Sequence, residues 1–233
     1  MKKYTSILIT FLLWVSVVSL SNADESHADA AMMTELLELQ HSWAKAKYEF
    51  AADKQKAAFA ELAERAGNLA TQNPDRAEPL VWQAIILSTE AGTTGGLGAL
   101  GLVKEARGLL LEAEKINSEV LQGSVYTSLG SLYYQVPGWP IGFGDDEKAE
   151  KYLQQALSIN PDGMDPNFFY ADFLFEQGRY EEAMVYIKRT LDAPKREQRP
   201  LADQGRRKEA DVLMQKIKQK TAFRSDITKA NMA

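Results

Sequence analysis

Gly96-Leu97-Gly98-Ala99-Leu100-Gly101 has the G-x-G-x-x-G spacing by which a backbone turn cradles a pyrophosphate at a helix N-terminus. That chemistry also needs a preceding strand, and Leu80–Glu90 ahead of it reads as a helix. Nucleotide binding is therefore not expected, which leaves only the weaker idea of an anion at the helix start near Leu102. Two acidic groups follow, Asp145-Asp146-Glu147 and the pair Asp162 and Asp165. Paired carboxylates can act as acid and base or hold calcium. Capping accounts for them more simply. Asp145 or Asp146 caps a helix, Glu147 complements its dipole, Asp162-Gly163 makes a turn, and Asp165 caps ahead of Pro166. His27 and His41 are the only histidines, and there is no cysteine. That composition excludes thiol nucleophiles, disulfides, thiolate metal sites and an acylated lipoprotein anchor. No catalytic, metal or cofactor residue is assigned, no cofactor is expected, and the chain does not read as an enzyme.

The elements that would position any site are helices. The 233 residues are 45% hydrophobic and 25% charged with net charge −5, an ordinary globular composition. Lys2 and Lys3, the apolar run Ile7–Leu20 and the small residues Ser21 and Ala23 form an export signal, residues 1–23, cut after Ala23. As a helix that run is about 21 Å long, short of a hydrocarbon core of roughly 30 Å. An uncleaved anchor is the competing reading. Removing Lys2 and Lys3 takes the net charge from −5 to −7, and the mature chain is expected in the periplasm. Residues 24–233 form one domain, with 24–32 and 222–233 as flexible flanks.

Apolar residues recur at helical spacing from Met33 to Phe50 and from a cap at Asp53 to Gln72. Further helices read at Leu80–Glu90, Val103–Ile116, Ser124–Gln135, Glu147–Ile159, Pro166–Glu176, Tyr180–Leu191 and Leu201–Lys220. No stretch alternates long enough for a strand. The fold class is all-α.

These helices pair in phase. Tyr126-x2-Leu129-Gly130-x2-Tyr133, then Ala149-x3-Leu153, Ala156 and Asn160-Pro161, resembles a tetratricopeptide repeat. Tyr170-Ala171-x2-Leu174, Gly178, Ala183-x3-Ile187 and Pro194 follow in register, and Ala84, Leu87, Ala106, Leu110 and Ala113 make a weaker earlier unit. Small residues let helix axes approach while large ones fill the gaps, so Gly130 is expected to face Ala149. The resemblance implies a helical-hairpin superhelix of about four helix pairs with a C-terminal capping helix.

Two units carry extra residues between their helices. Leu174 to Ala183 spans 9 positions, Tyr133 to Ala149 spans 16, and Leu87 to Ala106 spans 19. Gly92–Gly101 holds five glycines, which would cost a helix about 5 kcal/mol against alanine, so a loop is expected there. Val136–Gly144 is also expected as a loop, but an apolar one. Both inserts are expected to fold back against the repeats.

The Val-Pro-Gly-Trp-Pro-Ile-Gly-Phe-Gly-Asp turn after Leu-Gly-Ser-Leu-Tyr-Tyr resembles an exported bacterial repeat family related to the T component of repeat-associated TRAP transporters. Gly95–Ala113, Tyr126–Pro161 and Pro166–Ala193 carry the likeness. It implies an internal apolar passage, a periplasmic solute-binding protein as partner, and members that are lipid-anchored or oligomeric. With no cysteine, this chain lacks the anchor. Tyr134, Phe168, Asp172 and Phe175 occupy the first-helix positions that line the concave face in such repeats. Trp139 and Phe143 lie on an insert the repeat does not require. Together with Trp82 they are the candidate ligand- or partner-binding residues, against the plainer alternative that aromatics at helical spacing are core.

Lys188–Lys220 carries eleven basic and five acidic residues, whereas 24–187 carries twelve and twenty-six. The basic segment reads as a steering surface or a solvated capping helix. An exported acidic chain is not expected to bind nucleic acid. The expected function is a non-catalytic periplasmic scaffold that docks a partner protein and holds or passes a small hydrophobic solute as a transporter accessory. The alternative is a structural adaptor for cell-envelope assembly with no small-molecule ligand.

Overall fold

The computed structural model describes the backbone of residues 5–232 and the side chains of 27–224. It contains nine helices among those residues: α1 Thr5–Tyr48, α2 Ala52–Gln72, α3 Ala77–Thr94, α4 Gly96–Ile116, α5 Val120–Gln135, α6 Asp146–Ile159, α7 Met164–Glu176, α8 Tyr180–Asp192 and α9 Pro200–Met232. They form four antiparallel pairs and a capping helix, a tetratricopeptide-type superhelix. The side chains of the expected export signal, and the start of the chain, lie outside the described residues. Residues 24–32 and 222–232 of the expected flanks fall within α1 and α9, and residue 233 lies outside the described residues. Among the described residues no helix is long and apolar enough to cross a membrane.

Packing follows the small-residue logic of the sequence. Ala84, Ala106, Ala113, Ala149, Ala156, Ala171 and Ala183 are all fully buried at helix crossings, with Leu110, Leu129, Leu153, Leu174 and Ile187 filling the spaces between. Gly130 meets α6 at Leu153, one turn beyond the expected Ala149. A Cβ there would lie 2.6 Å from Leu153 Cγ and 3.1 Å from its backbone nitrogen.

Three local expectations are corrected. The Gly92–Gly101 stretch is not a loop: α3 runs on to Thr94, Gly95 and Gly96 make the turn at φ 67° and 60°, and α4 starts at Gly96. The insert thus lengthens a helical hairpin whose tip projects into solvent, with Leu97 88% exposed. Satisfying the backbone hydrogen bonds within two paired helices outweighs the glycine penalty. Asp53 is not the cap of α2, which begins at Ala52 with Ala51 before it, and instead sits in the first turn. Asp165 is not a cap either. Gly163 takes that position, and Asp165 in the first turn of α7 binds arginines. Asp145 does cap α6, its Oδ1 accepting from the Lys148 amide at 3.1 Å.

The superhelix closes on itself. α9 packs on α8, α7 and α1, so the last helix reaches the first. The ring of Tyr48 on α1 covers Gly205 on α9 with no space for a side chain. Lys47 Nζ lies 3.1 Å from Glu209, and His41 Nε2 is 2.6 Å from the Gln198 carbonyl oxygen. Ala202, Ala210, Leu213 and Ile217 are the buried face of α9.

Candidate functional site

Closure leaves an inner groove of about 1350 Å³, lined by the first helix of each pair, the 194–199 segment and α9. Its walls differ in chemistry. Met33, Leu37 and Trp43 on α1, with Trp82 and Ile85 on α3, make an apolar wall. Trp43 and Trp82 meet edge to face at 5.7 Å, and the Trp43 indole N–H donates to Thr89 Oγ1 at 3.0 Å. Beside it, α5 presents Ser124, Thr127, Ser128 and Ser131. The chain enters α5 through Leu121, Gln122 and Gly123, all at positive φ, which puts the first two at the groove rim.

The third side is ionic. Asp165 accepts from Arg196 Nη1 at 2.6 Å and from Arg206 Nε at 2.9 Å. Arg196 also reaches Asp203 at 2.6 Å, and Arg206 reaches Glu209 at 2.6 Å. The Arg206 guanidinium lies over Phe168 at 4.3 Å and Phe169 at 4.7 Å. Burial pushes the Asp165 pKa up, but the surrounding Arg206, Arg196 and Arg199 charges overcome it and hold the carboxyl well below the usual range. Burial lowers the Lys47 pKa, with the Arg206 charge adding to that and Glu209 opposing it.

Of the candidate residues, Trp82 and Phe168 line this groove. Tyr134 and Asp172 are brought together, the phenol O–H donating to Asp172 Oδ2 at 2.7 Å and clasping α5 to α7. Burial raises both of their pKa values. Phe175 packs on Tyr180 at 5.6 Å between centroids. Trp139 and Phe143 lie away from the groove. Trp139 is 90% exposed, and Phe143 packs on Tyr133 at 5.7 Å under the Arg107 guanidinium at 4.2 Å.

Loop geometry turns Trp139 outward. Gly144 N–H donates to the Pro137 carbonyl at 3.0 Å and Asp145 N–H to that of Tyr133 at 2.8 Å. Gly142 and Gly144 lie flat on the Val136-Pro137 backbone where any Cβ would clash. The loop is filled by its own main chain, anchored by buried Val136. Its tryptophan is left in water.

The arginines of 196–206 are the residues that reading by motif misses. The signal was present: Asp203 and Arg206 continue the spacing of buried Ala210, Leu213 and Ile217 on α9, so two charges stand on an inward stripe. The Gly96–Gly101 motif opens a helix after a helix, with no strand before it among the described residues, so a dinucleotide turn is not built there.

Comparison with known proteins agrees on the fold. The tetratricopeptide-repeat family model matches residues 141–200. Among solved structures, a thermophilic tetratricopeptide-repeat protein of Thermus thermophilus superposes with a TM-score of 0.51 at 18% identity, covering 84% of this chain and 96% of that one. MamA matches at a TM-score of 0.39 and 17% identity over 77% of this chain and 99% of that one. PilF of Pseudomonas aeruginosa matches at 0.33 and 15%, over 81% and 98%. No curated protein matches the chain.

Proposed function

We propose that this protein is a non-catalytic binding scaffold of the periplasm that holds a small hydrophobic solute in its inner groove. In this reading it is exported by the 1–23 segment and serves as an accessory to a TRAP-type transporter. A solute-binding protein docks on it. One observation carries the reading: a groove of about 1350 Å³ that keeps Met33, Leu37 and Ile85 partly open to water inside a closed superhelix. Apolar side chains left facing a concavity are the usual mark of a ligand wall. Trp139 and Ile141, 90% and 64% exposed on the hydrogen-bonded loop, are the anchors we assign to the partner protein.

The adaptor reading, with no small-molecule ligand, draws on the ion-paired Asp165–Arg196–Arg206 cluster, which ties α7 to α9 and to the segment before it. A titration separates the two. N-phenyl-1-naphthylamine, a neutral fluorescent probe, is expected to bind saturably, and Ile85→Glu is expected to abolish binding while circular dichroism stays helical. No saturable binding, or binding untouched by Ile85→Glu, favours the adaptor.

A further inference from the structure

Among the described residues, the groove lining holds one cation without a carboxylate partner. Arg196 and Arg206 each bind two carboxylates. Arg199 binds none: its guanidinium makes no hydrogen bond or ion pair among the described residues, and its Nε is buried without a partner. It lies over the Trp82 ring, 5.0 Å from the centroid, on the groove lining. The carboxylates whose charge it feels, Asp165 and Asp203, are already committed to Arg196 and Arg206. Arg199 as a whole is half-buried and only its Nε is closed off without a partner, so its outer nitrogens stay open as donors at the groove lining, where an anion can meet them.

We infer that the groove takes an amphiphile with a single carboxylate head, the head on Arg199 and the alkyl chain along Leu37, Ile85 and Met33. The inference rests on the binding reading above and names the class of solute. One open guanidinium suits one carboxylate, which it can meet with two parallel N–H donors. A second carboxylate would find no free cation on the groove lining, because Lys47, Arg196 and Arg206 are already held by Glu209, Asp165 and Asp203. The alkyl chain is favoured over a peptide because Leu37, Ile85 and Met33 offer amide groups no hydrogen bonds. Burial draws the Arg199 pKa down, with Asp165 and Asp203 opposing and Arg196 and Arg206 adding to it. A bound carboxylate would restore it.

Titration calorimetry on the full chain tests head and tail separately, with dodecanoate below its micellar concentration, dodecanol and acetate. Dodecanoate is expected to bind at least about tenfold more tightly than dodecanol, the factor one charge-assisted contact supplies. Acetate is expected to bind too weakly to detect. Arg199→Gln should bring dodecanoate down to the level of dodecanol and leave dodecanol unchanged, while Arg199→Lys keeps part of the preference. Equal binding of dodecanoate and dodecanol to the native chain overturns the inference with no variant needed, and leaves the solute-binding reading standing. Failure of both ligands to bind overturns both. Arg199-dependent binding of a peptide with a free C-terminal carboxylate, without dodecanoate binding, overturns the amphiphile assignment.

Discussion

Tyr48 near the end of α1 lies flat against Gly205 in α9, so closely that even a methyl group on that glycine would overlap the phenol ring. Residues far apart in sequence thus meet where the first and last helices join. The join turns an open spiral of repeats into a ring around the groove. Glycine in a helix interior costs about 1 kcal/mol against alanine, and here the close approach accounts for it.

Gly205→Leu should therefore part α9 from α1. Overpacking of this kind costs about 1–3 kcal/mol, and more where the backbone cannot shift. Urea denaturation should show the lower midpoint, and hydrogen exchange should show faster exchange in α9. A normal midpoint with an unchanged α9 would contradict the closure.

Gly101 and Gly108 lie in α4 with nothing near the position of a Cβ. Replacing either with alanine should raise stability by about 0.5–1 kcal/mol, because a helical glycine gives up more backbone freedom on folding. Thermal denaturation checks this. A loop at Gly101, as composition suggested, would show no gain there.

Trp139→Ala should leave the denaturation midpoint within about 0.5 kcal/mol of the native chain, as an exposed side chain distant from any packing should. Its indole should emit at long wavelength and be quenched fully by iodide. A loss of several kcal/mol would mean that Trp139 plugs the interior.

Asp165→Asn removes the carboxylate shared by Arg196 and Arg206 and should cost about 3 kcal/mol at neutral pH. Its sign with pH is fixed by the depressed pKa of the folded state. The stabilisation is fully present above the unfolded aspartate pKa of about 3.9 and is lost as pH falls through the folded value. The gap between native and Asp165→Asn midpoints should stay constant from pH 7 to about 5 and close toward pH 2. A gap that widens on acidification would contradict the ion-pair account.

The repeats were legible because their signals are local and periodic. Tyr126, Leu129, Gly130 and Ala149 set a register that the structure keeps, and four pairs with a capping helix follow from it. Gly92–Gly101 was misread because a helix propensity is a small cost per residue, whereas pairing two long helices is a collective gain. Asp165 looked like a cap since its partners Arg196 and Arg206 are 31 and 41 residues away, on a segment whose basic charge suggested an outer surface. Phe168, on a first-helix position, lines the groove, and so does Trp82. Trp139 did not, since the orientation of a loop residue depends on glycine contacts such as Gly144 against Pro137 that carry no period.

Crystals grown with ω-bromododecanoate would locate an apolar solute in the inner groove. The bromine marks the chain end by its anomalous scattering. A peak is expected inside the ring, against Met33 and Leu37 of α1, with density for the carboxylate at Arg199. A bromine peak on the outer face, or none in the groove when dodecanoate saturates the protein in solution, would contradict that placement.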